Sequence, residues 1–306
     1  MPEATIGGRI RHIFQDRLAN LPSLISEVSS APRHLADGPL LHVASSLKFR
    51  SLLSAFYLDR FFLREHKRQM VELNTWAKSR FTGKRFQGDH FILDMPDFPD
   101  AVAVAVYDLR EIYLENRYAA MLPYQCLVQE GDTVIDCGGN IGAFSIYAAT
   151  RAPGVKVLAF EPEPATREAF LHNVGINGLE SRVECLPYGL SNRESTFQIV
   201  RRTDCFTMHR LTEAAAGETT DTVKCIPIDS CLDKLTRCDV IKMDIEGAEQ
   251  SALEGAAQTL RRFRPRLTLA AYHKPNDPWV LSKTIRKIVP EYNIIVSRDA
   301  HLYAWV

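Results

Sequence analysis

The 306-residue sequence predicts an α/β fold on a mostly parallel sheet, preceded by a mainly helical segment. Three observations carry this expectation. From residue 133 onward, short apolar runs alternate with helical stretches, the rhythm of strands joined by right-handed crossovers. A glycine-rich turn links the first of these runs to the first helix. At the chain end, Asn293-Ile-Ile-Val-Ser297 and His301-Leu-Tyr-Ala-Trp-Val306 are separated by a few residues and read as a hairpin that adds one antiparallel strand.

In residues 1–40, Pro22, Pro32, Gly38 and Pro39 interrupt any long helix. From Leu41 to about Ala77, Leu47, Leu52, Phe56, Leu63 and Met70 fall near one helical stripe without Gly or Pro. Within it, the stretch from Lys48 to Leu58 carries cations and aromatics but no acid until Asp59. That pattern suits either a core-facing helix with a solvated basic side or a helix lying on an anionic membrane surface. Peripheral membrane contact through the basic helix near residues 47–68 is therefore one expectation. Ala101-Val-Ala-Val-Ala-Val-Tyr107 reads as a strand, and Arg110 to about Leu122 as a helix closed by Pro123. The sheet strands then follow: Thr133–Asp136, Lys156–Phe160, Arg182–Leu186, Asp239–Asp244 and Arg266–Tyr272. Helices are expected from Ala143, from Pro164 to about Ile176, and from Gly247 to Phe263. Thr196–Val200 and Thr222–Ile228 read as extra strands flanking a loop. The expected division is a front segment, 1–90, and a sheet-bearing domain, 91–306.

The 37 basic and 37 acidic side chains cancel, so no global charge draws the chain to nucleic acid or acidic lipid. Residues 1–90 nevertheless carry 14 Lys/Arg against 8 Asp/Glu, and the remainder is correspondingly acidic. The seven cysteines form no CxxC pair and no zinc-finger spacing, which suits reduced thiols in the cytoplasm. The N-terminus lacks the apolar core of a secretory signal, and no stretch reaches the ~18 uncharged apolar residues of a spanning helix. The expected location is cytoplasmic.

The strongest local signal is Val134-Ile-Asp-Cys-Gly-Gly-Asn-Ile-Gly142. Its spacing is Asp136-x-Gly138-x-Asn140-x-Gly142, which departs from the Gly-x-Gly-x-x-Gly of dinucleotide sites and lacks the Gly-Lys-Ser/Thr of a phosphate loop. An acid inside such a loop suits a ligand with a cationic end. Glu161, in Phe160-Glu-Pro-Glu163 at the end of the second strand, stands where α/β nucleotide sites place the acceptor for ribose hydroxyls. An adenosine-bearing ligand with a positive head describes S-adenosyl-L-methionine.

These motifs, with Ile241-Lys-Met-Asp-Ile-Glu-Gly-Ala-Glu249 and Ile228-Asp-Ser-Cys-Leu-Asp233, resemble the FkbM family of S-adenosylmethionine-dependent methyltransferases. The resemblance spans roughly residues 111–269. It implies a Rossmann-like class I methyltransferase sheet of seven strands, and O-methylation of a hydroxyl on a sugar, glycolipid or natural-product acceptor. The family often carries an acid before the histidine that follows the fifth strand, and Ala271-Tyr-His273 departs from that pattern.

Asp244 and Glu246 belong at the carboxyl end of the fourth strand, where open α/β sheets bind ligands. Two carboxylates there can divide the work, one lining the cofactor and one taking the hydroxyl proton. His273, at the same rim, is a candidate base. Asp136, Gly138, Asn140, Gly142, Glu161, Tyr188 and Asp244 are the expected cofactor contacts, with Asn140 toward the methionine end and Tyr188 able to stack on adenine or simply to pack. Lys242 is expected to pair with a neighbouring carboxylate. No HExxH or clustered metal-ligand motif is present, so no metal is expected. The competing readings are a nucleic-acid methyltransferase, disfavoured by the neutral charge, a non-catalytic cofactor-binding scaffold in a biosynthetic complex, and an NAD-dependent oxidoreductase.

Overall fold

The computed structural model describes residues 78–97, 128–200, 210–213, 222–297 and 300–306, together with positions 75, 101, 102, 105 and 109. The expected basic helix near 47–68, the helix over 110–122 and most of the front segment lie outside the described residues.

At the centre is a seven-stranded sheet. In chain order its strands are β4 (Thr133–Cys137), β5 (Lys156–Phe160), β6 (Val183–Leu186), β11 (Val240–Met243), β12 (Arg266–Ala270), β13 (Asn293–Val296) and β14 (His301–Trp305). Their spatial order is β13-β14-β12-β11-β4-β5-β6. The inner pairs are parallel, and β14 runs antiparallel to both β12 and β13. The terminal hairpin thus inserts its second strand into the sheet, as its two apolar runs predict.

Side chains alternate across these strands, and both faces are covered. Val134, Val157 and Ala159 pack with α1 (Ala143–Arg151) and α2 (Pro164–Ile176), whose Phe144, Ile146, Phe170 and Val174 are buried. Ile135, Leu158, Phe160, Ile241 and Met243 face the other way. They meet α3 (Glu249–Glu254), α4 (Ala257–Phe263) and α5 (Asp277–Ile288).

The expected helix over 247–263 is two helices. A Cβ at Gly255 would sit 2.1 Å from the Ser191 carbonyl oxygen, so the chain after β7 (Gly189–Leu190) presses directly on the backbone at the break. Asp229 receives the start of α4, accepting the Gln258 and Thr259 backbone N–H groups at 2.8 Å each. This is the N-terminal capping that exposed helical donors require.

Two smaller sheets flank the main one. The order β7-β10-β8-β9 joins Gly189–Leu190, β10 (Thr222–Ile226), β8 (Ser195–Val200) and β9 (Arg210–Glu213). The other, β1 (Phe81–Thr82), β2 (Arg85–Gln87) and β3 (Ile92–Asp94), is antiparallel throughout. It runs across residue 90, where the sequence suggested a boundary. Its outer edge is bound by α2: Asn177 accepts the Ile92 N–H at 2.9 Å, and Asn173 accepts the Asp94 N–H at 2.7 Å. Two side-chain amides one helical turn apart stand in for a neighbouring strand.

The described positions 101, 102, 105 and 109 are helical, with Ala101, Ala105 and Leu109 buried four residues apart, so the strand expected over 101–107 is not formed there. Alternating Ala and Val are both apolar, so period two carried no inward-outward contrast, and alanine favours helix. Among the described residues no helix is long and apolar enough to cross a membrane.

Candidate active site

The carboxyl ends of β4, β5, β11 and β12 converge on one rim. After β4 the chain turns through Gly138 (φ +85°), Asn140 (φ +49°) and Gly142 (φ +89°) before α1 begins. A Cβ at Gly138 would lie 2.1 Å from the Asp244 carbonyl oxygen, so only glycine lets the loop cross the end of β11. The Gly138 and Gly139 N–H groups donate to the Phe160 carbonyl at 3.1 and 2.9 Å, tying the loop to the end of β5.

Glu161 stands beside this loop. Its Oε2 accepts the Asn140 N–H and its Oε1 the Glu163 N–H, each at 2.9 Å. Burial pushes its carboxyl up to about 7 despite those two donors. Asn140 Oδ1 is buried, and no donor among the described residues reaches it.

Asp136 lies deeper than expected. It is 0% exposed, with Oδ1 3.0 Å from Lys242 Nζ and Oδ2 accepting the Ser145 hydroxyl at 2.6 Å. Lys242 also donates to the Gly138 carbonyl at 2.8 Å. Burial alone would depress its ammonium, but Asp136, with Asp244 beyond it, outweighs that and holds it raised. The pair is an internal brace between β4 and β11. The expectation that Asp136 meets a ligand's cationic end is therefore corrected: strand alternation turns its side chain inward onto Lys242.

Asp244, Glu246 and His273 do come together. His273 Nε2 is 3.4 Å from Asp244 Oδ1 and 3.6 Å from Glu246 Oε2, and its Nδ1 is 2.9 Å from Glu249 Oε1. Burial would lower this imidazole, but Glu249, Asp244 and Glu246 raise it to about 9. Among these acids the imidazole is held toward its protonated form. The Tyr272 hydroxyl donates to Asp244 Oδ2 at 3.2 Å. Glu246 adopts φ +56°, followed by Gly247 at +98°, so the backbone doubles back between β11 and α3.

Sequence reasoning did not assign Glu249 or Tyr272 to the site. Glu249 was visible as the last acid of the Asp-x-Glu-Gly-Ala-Glu block; its Oε1 accepts the Ile245 and Gly247 N–H groups and shapes the loop carrying the other two acids. Tyr188 is partly buried against the apolar layer under the sheet, with Lys224 Nζ 6.0 Å above its ring.

The strand order, the single antiparallel strand and the loop–Glu161–Asp244 rim define a class I methyltransferase fold. The methyltransferase FkbM domain model matches residues 136–296, and the chain belongs to that family of enzymes. Methyltransferase sdnD of Sordaria araneosa is 25% identical over 199 residues, covering 54% of this chain and 77% of that one. The hexuronic acid methyltransferase AglP of Haloferax volcanii is 28% identical over 165 residues, covering 53% and 63%. A crystal structure of a methyltransferase FkbM from Methylobacillus flagellatus superposes with a TM-score of 0.47 at 20% identity, covering 78% of this chain and 59% of that one.

Proposed function

We propose that this chain transfers a methyl group from S-adenosyl-L-methionine to a hydroxyl of a sugar, glycolipid or natural-product acceptor. The observation that carries the proposal is the rim where the glycine loop, Glu161 and Asp244 meet: Gly138 touches the Asp244 backbone and Asn140 donates to Glu161. The residues present fit the cofactor. Glu161 has spare acceptor capacity beyond its two backbone donors, Asn140 Oδ1 is buried without a donor, and glycines keep the loop free of side chains.

In this reading Glu161 accepts the ribose hydroxyls, Asn140 faces the methionine end, and Asp244 lines the cleft. The Asp136–Lys242 brace holds the loop in place. When bound, the cofactor supplies an electrophilic methyl group on sulfur. The enzyme's largest contribution is to align the acceptor oxygen behind that methyl, worth up to ~7–11 kcal/mol in favourable cases. The acceptor hydroxyl, on losing its proton in the methyl transfer, would hand it to a carboxylate at the rim, a role assigned to Glu246. His273, held toward its protonated form, orients the two acids rather than accepting the proton.

A sugar acceptor is favoured by the hexuronic acid specificity in the name of the AglP relative. The test is transfer of tritiated methyl groups to a panel of hexuronate, hexose and macrolide hydroxyls. Glu246→Gln is expected to lower kcat by about 10²–10⁴ with little change in KM for the cofactor. Undiminished kcat would remove the base assignment, and absence of cofactor binding would remove the whole reading.

A further inference from the structure

We propose that Asp244, Glu249 and His273 form a binding site for a divalent cation of the manganese, iron(II) or zinc class. Each residue arrives on a different element: Asp244 at the end of β11, Glu249 as the first residue of α3, and His273 beyond β12. One ligand-type atom from each lies within 4.8 Å of the others. Two donors at bond lengths of about 2.0–2.2 Å from one ion lie at most about 4.4 Å apart, so a small side-chain adjustment would gather the three around it.

Glu249 points most directly to a missing partner. It is fully buried, and its two oxygens are used differently. Oε1 accepts the Ile245 and Gly247 N–H groups and lies beside His273 Nδ1, which fixes the carboxylate's orientation. Oε2 is buried, and no hydrogen-bond donor among the described residues reaches it. Buried carboxylate oxygens are rarely left so.

The charge balance argues the same way. Asp244, Glu246 and Glu249 all approach one imidazole, and Asp277, buried behind them, adds a fourth acid to the same field. The ammonium of Lys274 bonds the Gly247 carbonyl and that of Lys242 braces Asp136, so each reaches the cluster only through space, Lys242 toward Asp244 and Lys274 toward Asp277. Glu249 and Asp277 are taken out of water, and buried carboxylates need compensating positive charge. An incoming ion would displace the imidazole proton; one imidazole nitrogen with two carboxylate oxygens is then a donor set for borderline divalent ions, and three protein ligands leave positions open for a further oxygen.

In that open position the ion would hold the acceptor hydroxyl and make it more acidic. This role rests on the methyl-transfer reading, whereas binding of the ion does not. The clustering was hidden in the sequence because Glu249 and His273 are far apart along the chain and share no metal-ligand spacing.

The test is titration of the chelator-stripped full-length chain with Mn²⁺, read by the loss of the free-ion electron paramagnetic resonance signal. The expected result is one saturable Mn²⁺ per chain, with nitrogen modulation from a single histidine in the spin-echo spectrum of the bound ion. Affinity should fall roughly 10–100-fold in His273→Ala and in Glu249→Gln, with folding checked by circular dichroism. The spin-echo measurement needs no variant and stands even if Glu249→Gln fails to fold. No saturable binding at millimolar Mn²⁺, bound ion without nitrogen modulation, or unchanged affinity in a folded His273→Ala would each overturn the proposal and leave the protonated imidazole as the compensating cation. Titration of the same sample with S-adenosylhomocysteine reads the methyl-transfer proposal separately.

Discussion

Glu161 offers the most quantitative test of the physical picture, through Glu161→Gln. Burial raises its carboxyl from the usual 4.5 to about 7, a rise corresponding to about 3 kcal/mol. The folded protein therefore holds this proton more tightly than the unfolded chain. The stabilising contribution is complete below about pH 4.5 and is lost as pH climbs through about 7. Gln keeps the shape and polarity of the protonated acid and cannot ionise. Urea unfolding of both proteins across pH 4.5–8 isolates the group, because every other titration cancels in the difference. The stability of Glu161→Gln relative to wild type should rise by up to about 3 kcal/mol over that range. A difference that stays flat with pH would show that Glu161 is not desolvated as the structure places it, and would refute the reasoning.

Cofactor affinity should carry the same group's signature in the opposite sense. Ribose hydroxyls donate best to the ionised form, so S-adenosylhomocysteine should bind about tenfold more weakly for each pH unit below 7, by calorimetry, and Glu161→Gln should lose that slope. Gly138→Ala must place a methyl group 2.1 Å from the Asp244 carbonyl at a backbone φ of +85°; it should abolish cofactor binding and lower the melting temperature of any protein that folds. Lys242→Met leaves the Asp136 carboxylate buried and unpaired, at about 3–5 kcal/mol by urea unfolding, while the Asp136→Leu/Lys242→Met double variant should recover much of that loss. Asn173→Ala removes bonds to Asp94 N, Asp94 O and Ile141 O; amide exchange over residues 81–94 should accelerate more than exchange in β4 or β11.

The central sheet was legible because its strands are buried on both faces and read as uninterrupted apolar runs. Val134–Ile135 and Val157–Phe160 show this, and Val240–Met243 shows it apart from Lys242, which pairs with Asp136 inside the sheet. The small sheet over 81–94 was not legible. Its strands are two or three residues long, and they are fixed by Asn173 and Asn177 some eighty residues away. The helix α5 has no counterpart among the sequence expectations, although Pro278 falls in its first turn, where proline is tolerated. At the site, residue types at fixed spacing identified Glu161, Asp244, Glu246 and His273 as neighbours of one rim. Their charge states were invisible, because they depend on burial and on which carboxylates meet across the sheet. Asp136 shows the same gap, since only the fold reveals that its motif position is filled by an internal ion pair with Lys242.

The central claim is that the loop over residues 138–142, Glu161 and Asp244 form an S-adenosylmethionine site serving methyl transfer. Calorimetric titration of the wild-type chain and of Glu161→Ala with S-adenosylhomocysteine tests it most directly. The account predicts one site per wild-type chain, with binding weakened by about 1–3 kcal/mol in the variant, the range for losing hydrogen bonds to a charged group. A folded wild-type protein that takes up no S-adenosylhomocysteine, or a Glu161→Ala protein that binds it as tightly as wild type, would contradict it.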